Sequence, residues 1–118
     1  MSDEDWMLPE SAIKDAPPSR PFCVSMDYDD TFTSCPETWT KVINVLRQAG
    51  ARVVCVTSRR PEMKVRDFPG EVFYCSARPK REVMEEHGIS VAVWIDDQPE
   101  YIGQDVNRLL LKKTAGIR

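Results

Sequence analysis

The feature that most constrains this chain is residues 22–31, where an apolar run ends abruptly in three aspartates and a threonine. The run Phe22-Cys23-Val24-Ser25-Met26 has the length and the β-branched content of a buried strand. Burial of unpaired carboxylates is unfavourable, so Asp27 and Asp29 are expected just past the end of that strand. The sequence therefore predicts a dense negative site at the tip of a central strand.

Two explanations of the acidic cluster are open at this point. Carboxylates this close repel one another unless a cation neutralises them, and a hard metal with oxygen ligands, such as Mg2+, is the natural choice. The alternative is a helix-capping or turn cluster, in which Asp is common. The remainder of the chain has to distinguish the two.

Length and charge exclude several classes of protein. A chain of 118 residues is long enough for one modest core and not for two. We therefore interpret residues 21–118 as a single domain and residues 1–20, rich in proline and charge without sustained periodicity, as a loosely ordered arm. A net charge of −3 provides no global basic surface for long nucleic acids or anionic membranes.

The cysteines and the N-terminus indicate a cellular compartment. The four cysteines form no CxxC pair, and three of them lie inside apolar runs, so we predict free thiols in a reducing environment. The acidic N-terminus lacks the features of a signal peptide, and no apolar stretch is long enough to span a membrane. The expectation is a cytoplasmic protein with no membrane association.

The remaining chain alternates between strand and helix patterns. The predicted elements, in order, are a helix from the Pro36 turn to Gly50, a strand at 52–56, a short helical or irregular segment at 61–68, a strand at 72–75, a helix from Pro79 to Gly88 and a strand at 91–95. Residues 100–104 are compatible with a turn of helix. Residues 109–111 fit a helix or a final edge strand equally well.

This alternation predicts a three-layer, Rossmann-like parallel sheet of about four to five strands with helices on both faces. In open sheets of this kind, ligands bind outside the carboxyl ends of the strands. Asp27, Asp29, Thr57 and Asp96 all occur at predicted strand ends. Residues that are scattered along the sequence are therefore expected to converge on one rim.

The chemistry available at that rim suits a phosphoryl group. A metal held by Asp27 and by Asp96 or Asp97, together with the Lys80 ammonium, would neutralise phosphate oxygens. A free carboxylate can attack phosphorus, and a second can exchange protons with the leaving group and water. No GxxxxGK[ST], GxGxxG or HExxH motif competes with this interpretation.

The chain resembles the haloacid dehalogenase-like (HAD) phosphohydrolase superfamily in four ordered motifs. These are hhhhDxDxT at residues 23–31, hhhh[ST] at 53–57, a lysine at a helix start, Lys80, and hhhhDD at 93–97. The resemblance covers about residues 21–100. The lysine motif is weak alone, because Lys64 and Arg81 are nearby substitutes.

The resemblance implies a role for each matched residue. Asp27 would be the nucleophile that forms an aspartyl-phosphate, and Asp29 the general acid and base. Mg2+ would be held by the Asp27 side chain, the Asp29 backbone carbonyl and one of Asp96 and Asp97. The phosphate-binding candidates are Thr57, Lys80, Tyr28 and Ser58, and the possible substrate contacts are Arg59 and Thr31. Without the other motifs, Asp96-Asp97 would be interpreted as an Asx turn before Pro99.

Superfamily members differ in the cap that closes the site. Residues 32–56 hold one helix and one strand, and residues 58–79 form an even shorter connection, so neither has room for a cap domain. An open site admits a small phosphorylated metabolite, a nucleotide or a phosphorylated nucleic-acid end, or is covered by another subunit or by the N-terminal arm. Arg59 and Arg60 are candidates for contact with a second phosphate, and are equally compatible with solvated loop charges.

Two further functions remain as alternatives. The first is a binding or regulatory module that has this fold without efficient catalysis. The second is a receiver domain, which also places an acidic cluster, a hydroxyl and a lysine around Mg2+. A receiver domain carries its phospho-acceptor Asp after the third strand, where this chain has Tyr74-Cys75-Ser76-Ala77, so this alternative is remote.

Overall fold

The computed structural model describes residues 22–110, which form a four-stranded parallel sheet with helices on both faces. The strand order is β3-β2-β1-β4, and all neighbouring pairs are parallel. The strands are β1 (Phe22–Met26), β2 (Ala51–Thr57), β3 (Val72–Tyr74) and β4 (Val91–Ile95). The predicted Rossmann-like α/β architecture is confirmed, with four strands.

Two helices and a 3-10 turn lie between strands, and a third helix follows β4. They are the 3-10 turn (Phe32–Ser34), α1 (Pro36–Gln48), α2 (Lys80–Glu86) and α3 (Glu100–Gly103). Residues 106–110 are also helical, so residues 109 and 110 do not belong to an edge strand. The segment 61–68 contains turns and bends but no helix. Proline in the first turn of α1 suits that position because its missing N–H would have no intrahelical partner there.

The two faces of the sheet bury separate hydrophobic clusters. Val53 and Cys55 of β2 pack with Ile43 of α1 on one face. Val54 and Val56 pack with Val83 of α2 on the other face. Successive side chains of a strand point to opposite faces, so β2 must be apolar almost throughout to supply both clusters. The predicted three-layer arrangement is therefore confirmed.

Strand register places the polar residues at one edge of the sheet. Met26, the last residue of β1, lies beside Cys55 of β2 and Ile95 of β4. The Asp27 N–H donates to the Ile95 carbonyl at 2.9 Å, so β1 and β4 end together. The residues that follow each strand consequently meet on the same rim. No cap domain interrupts residues 22–110.

The predicted arm, residues 1–20, lies outside the described residues, as does the end of the chain from residue 111. Within residues 22–110, no helix is long and apolar enough to cross a membrane. All four cysteines are free thiols, as predicted: Cys23, Cys55 and Cys75 are buried and Cys35 is exposed.

Candidate active site

Asp27 is the buried carboxylate at the centre of the rim. Only 7% of its surface is exposed, although it follows directly after β1. Its Oδ1 accepts a hydrogen bond from Lys80 Nζ at 2.9 Å, and its Oδ2 accepts from the Thr31 hydroxyl at 3.2 Å. Both oxygens are therefore engaged by partners that favour the carboxylate, which is what a buried charge requires.

Lys80 supplies the cation that Asp27 needs. It is the first residue of α2 and is 1% exposed, and its Nζ also donates to Asp96 Oδ2 at 2.5 Å. Burial acts to lower the pKa of Lys80, but attraction and hydrogen bonding from Asp27 and Asp96 outweigh it, so the pKa is raised. The ammonium thus stays charged and joins the ends of β1 and β4.

Asp96 and Asp97 contribute in different ways. Asp96 Oδ1 accepts from the Gln98 N–H at 2.9 Å, which is the Asx-turn geometry that its sequence context favours, while its other oxygen meets Lys80. Asp97 accepts from the Thr31 hydroxyl at 3.2 Å. Because Thr31 has one hydroxyl proton, it can donate to Asp27 or to Asp97 but not to both at once.

These three aspartates form a group with the composition of a hard-cation site. Asp27, Asp96 and Asp97 each offer a carboxylate oxygen, and the three oxygens lie within 4.8 Å of one another. Three carboxylates and the one Lys80 ammonium carry a formal charge of minus two, which a divalent cation would balance. Oxygen-only donors of this kind fit Mg2+.

Electrostatics at Asp27 indicate the same deficit of positive charge. Burial raises its pKa to about 6; Lys80 opposes the shift, and Asp97 and Asp96 reinforce it. Lys80 alone therefore does not compensate for burial of this carboxylate among its acidic neighbours. A small pocket of about 110 Å3 opens over these residues, with Asp29, Ser58 and Gln98 completing part of its wall.

The Asp29 carboxylate lies apart from that group and is held by Arg59. Both of its oxygens accept hydrogen bonds, from Arg59 Nε at 2.8 Å and from Nη2 at 2.7 Å. The guanidinium lies 4.8 Å from the centre of the Tyr28 ring, and its Nη1 reaches the carbonyls of Met63 and Lys64. Asp29 and Arg59 are thus oriented at the edge of the pocket as a bidentate, aromatic-supported pair.

The other predicted phosphate-binding residues have mixed placements. Thr57 is 1% exposed, and its hydroxyl accepts from the Arg59 N–H at 3.2 Å. It therefore stabilises the loop after β2. Ser58 lines the pocket, and its buried hydroxyl has no partner among residues 22–110. The Tyr28 hydroxyl donates to Asp67 at 2.6 Å, so this hydroxyl is turned towards Asp67.

Comparison of the chain with protein-family models, with curated proteins and with solved structures gave no match.

Sequence reasoning missed three side-chain roles at the site. Thr31 was predicted only as a possible substrate contact, and its position between Asp27 and Asp97 was not anticipated. The Arg59–Asp29 pair and the Tyr28–Asp67 hydrogen bond were not anticipated. The Thr31–Asp27 contact could have been predicted, because both residues lie in one short motif. The Arg59–Asp29 and Tyr28–Asp67 contacts depend on the path of the irregular loop after β2.

Proposed function

We propose that this protein is a Mg2+-dependent phosphomonoester hydrolase that works through an aspartyl-phosphate intermediate, as the resemblance to the HAD superfamily implies. The observation that carries the proposal is the convergence of Asp27, Lys80, Asp96 and Asp97 on one small pocket at the carboxyl end of the sheet. Asp27, Lys80 and the Asp96-Asp97 pair are far apart in sequence, and they belong to three of the four motifs, in order.

Four side chains of the site have a chemical task in this scheme. An Asp27 oxygen attacks phosphorus, forming an Asp27 O–P bond as the bond to the leaving oxygen breaks. Asp29, once released from Arg59 and protonated from solvent, gives that proton to the leaving oxygen, and then accepts one from the water that hydrolyses the aspartyl-phosphate. Lys80 stabilises negative charge on the phosphate oxygens, and Ser58, whose hydroxyl has no other partner in residues 22–110, is available to donate to them.

The carboxylates of Asp27, Asp96 and Asp97 would hold the Mg2+, with the Asp29 backbone carbonyl as a further candidate ligand. When bound, the ion would supply Lewis-acid stabilisation of the phosphoryl oxygens. The rest of the reaction depends on the side chains already described. Asp27 must be ionised to attack, which its contacts with Lys80 and Thr31 favour.

The substrate is proposed to be a small phosphorylated metabolite or nucleotide, or a phosphorylated nucleic-acid end. The lack of a cap within residues 22–110 leaves the pocket open to either kind of ester. A second subunit could close the same rim. The four free thiols agree with the proposed cytoplasmic, reducing location.

One observation favours the alternative of a binding or regulatory module. Arg59 engages both oxygens of Asp29, so in this arrangement Asp29 is not free to protonate a leaving group. A module that binds Mg2+ and a phosphorylated ligand without turnover would have no need to release that pair. Hydrolysis measurements distinguish the two functions directly.

The decisive experiment is a panel of phosphate esters with and without Mg2+, including p-nitrophenyl phosphate, mononucleotides and oligonucleotides with 3′- or 5′-phosphates. We expect Mg2+-dependent release of phosphate, and a loss of about 1,000-fold or more in Asp27→Asn. The matched control is Asp105→Asn, because Asp105 caps a backbone N–H outside the pocket and Asn caps equally well. Undiminished activity in Asp27→Asn would rule out the proposed nucleophile, and Mg2+ binding without hydrolysis of any ester would favour the module.

A further inference from the structure

A groove adjoins the candidate catalytic pocket on the β2 side. Its volume is about 590 Å3, and it shares Asp29 and Ser58 with the pocket of about 110 Å3. Pockets that enclose small organic ligands measure roughly 300–1,000 Å3. The pocket is therefore of a size for the phosphoryl group alone, and the groove is of a size for the rest of a substrate.

The two arginines on this groove differ in their availability. Arg59 is occupied by Asp29, by two backbone carbonyls and by the Tyr28 ring. Arg60 lines the same groove, is exposed, and its guanidinium forms no hydrogen bond or ion pair with any residue in the range 22–110. The two arginines could not be distinguished from the sequence, and of the two the structure leaves Arg60 as the one free to bind a ligand.

The backbone that carries Arg60 is fixed by its neighbours. The Ser76 N–H donates to the Arg59 carbonyl at 3.2 Å, and the Ala77 N–H donates to the Ser58 carbonyl at 3.0 Å. Ser76 and Ala77 adopt left-handed φ values of 51° and 64°, a conformation that non-glycine residues reach only when the surrounding structure imposes it. These contacts hold the loop after β2 as one wall of the groove.

Formal charge changes sign between the two cavities. The three carboxylates and one ammonium of the pocket sum to minus two, and require a cation before they accept a phosphate. In the groove, Asp29 and Arg59 cancel each other, and Arg60 adds one positive charge. A ligand that spans both cavities would therefore place a phosphate in the pocket of the three aspartates, beside the bound cation, and a second negative group against Arg60.

We infer that the groove is a leaving-group subsite for phosphomonoesters that carry a second anionic group, with Arg60 as the residue that determines this specificity. The inference rests on the proposed function, because it assigns the non-reacting part of the same substrate. The second group is a carboxylate or a phosphate, since a guanidinium recognises both through paired N–H donors.

The test compares esters that differ only in the second charge. Comparing glycerol 3-phosphate with 3-phosphoglycerate tests whether the subsite binds a carboxylate. Comparing adenosine 5′-monophosphate with adenosine 3′,5′-bisphosphate tests whether it binds a phosphate. We expect kcat/KM to favour the doubly anionic member of at least one pair by about 10- to 100-fold, the range for a hydrogen bond to a charged group. Arg60→Gln should abolish that preference, and Arg66→Gln, which removes an exposed cation from outside the groove, should preserve it.

A binding measurement keeps this test independent of turnover. Calorimetry with Asp27→Asn and Mg2+ should show the same preference for the doubly anionic compound, and its loss when Arg60→Gln is added. Equal kcat/KM and equal affinity for both members of both pairs would overturn the inference, while hydrolysis of either member would still support the proposed function. An Arg60-dependent preference in binding with no turnover would instead retain the subsite and reject the hydrolase. The pair that shows the preference identifies the second group as carboxylate or phosphate.

Discussion

Lys80→Met tests how the rim of the sheet is held together. Lys80 is 1% exposed and its ammonium contacts Asp27 at 2.9 Å and Asp96 at 2.5 Å. Methionine has a similar length and no charge, so the substitution removes the cation with little change in packed volume. Asp27 and Asp96 would then face each other without compensation.

Breaking a buried ion pair from one side destabilises a protein by about 3–5 kcal/mol, because the remaining charge is desolvated and unpaired. We expect a loss of that size in the free energy of unfolding, measured by urea denaturation at pH 7.5 without divalent metal. The matched control is Arg52→Met, which breaks the exposed Arg52–Glu71 pair, whose side chains are 48% and 53% exposed. Exposed pairs contribute about 0–1 kcal/mol, so the control should lose far less.

The effect of Lys80→Met should also depend on pH with a definite sign. Burial raises the pKa of Asp27 in the folded protein to about 6, above its ordinary value of 3.8. In the wild type its contribution to stability is therefore fully present below about pH 4 and is lost as pH rises through 6. Lys80 opposes that shift, so its removal moves the pKa of Asp27 higher still. At pH 5 Asp27 is mostly protonated in both proteins, so the unpaired Asp27 charge that penalises the variant at pH 7.5 is largely absent, and the deficit of the variant should be smaller at pH 5. A variant as stable as the Arg52→Met control at pH 7.5, or with a deficit that grows on acidification, would refute this account.

Three further predictions concern individual groups. Mg2+ at ten times its Kd should raise the free energy of unfolding by about 1.4 kcal/mol, and its apparent affinity, measured by thermal shift, should fall below about pH 6 as Asp27 takes up a proton. Thr31→Val should cost about 1.5–3 kcal/mol in urea denaturation, since it removes a buried hydroxyl that donates to the Asp27 or the Asp97 carboxylate and accepts from the Asp97 N–H. One thiol should react rapidly with a disulfide reagent in the native protein: the hydrogen bond with Thr38 lowers the pKa of exposed Cys35, whereas the other three cysteines are buried and should react only after unfolding.

The convergence of the aspartates was predictable from the sequence because parallel topology leaves few arrangements. Once Phe22–Met26 and Val91–Ile95 are strands joined through right-handed crossovers, the residues that follow them must emerge on one edge. Lys80 was predictable for a related reason, since α2 follows β3 and begins on that same edge. The positions of the aspartates and of Lys80 depend on strand direction alone, so local sequence patterns were enough to predict them.

Side-chain pairing across the loop after β2 could not be predicted in the same way. Arg59 is 30 residues from Asp29, and Asp67 is 39 residues from Tyr28, with no periodic element to fix their separation. The segment 61–68 is irregular, so its path depends on contacts that the sequence does not mark. The order of strands in the sheet was also open until the structure defined β3 and β4 as the two edges.

The Arg59–Asp29 pair does not by itself argue against catalysis, because its environment differs from that of Asp27. The Asp29 side chain is 51% exposed, so solvent reaches its pair with Arg59 far more than it reaches the Asp27–Lys80 pair, and a bound ester can compete for either partner. Asp27 is held by a Lys80 ammonium that is almost inaccessible to solvent. The rim thus combines a buried, fixed Asp27 carboxylate with a more exposed Asp29 carboxylate. This is the division that the proposed reaction needs, since Asp27 must stay aligned on phosphorus while Asp29 exchanges partners with the leaving group and water.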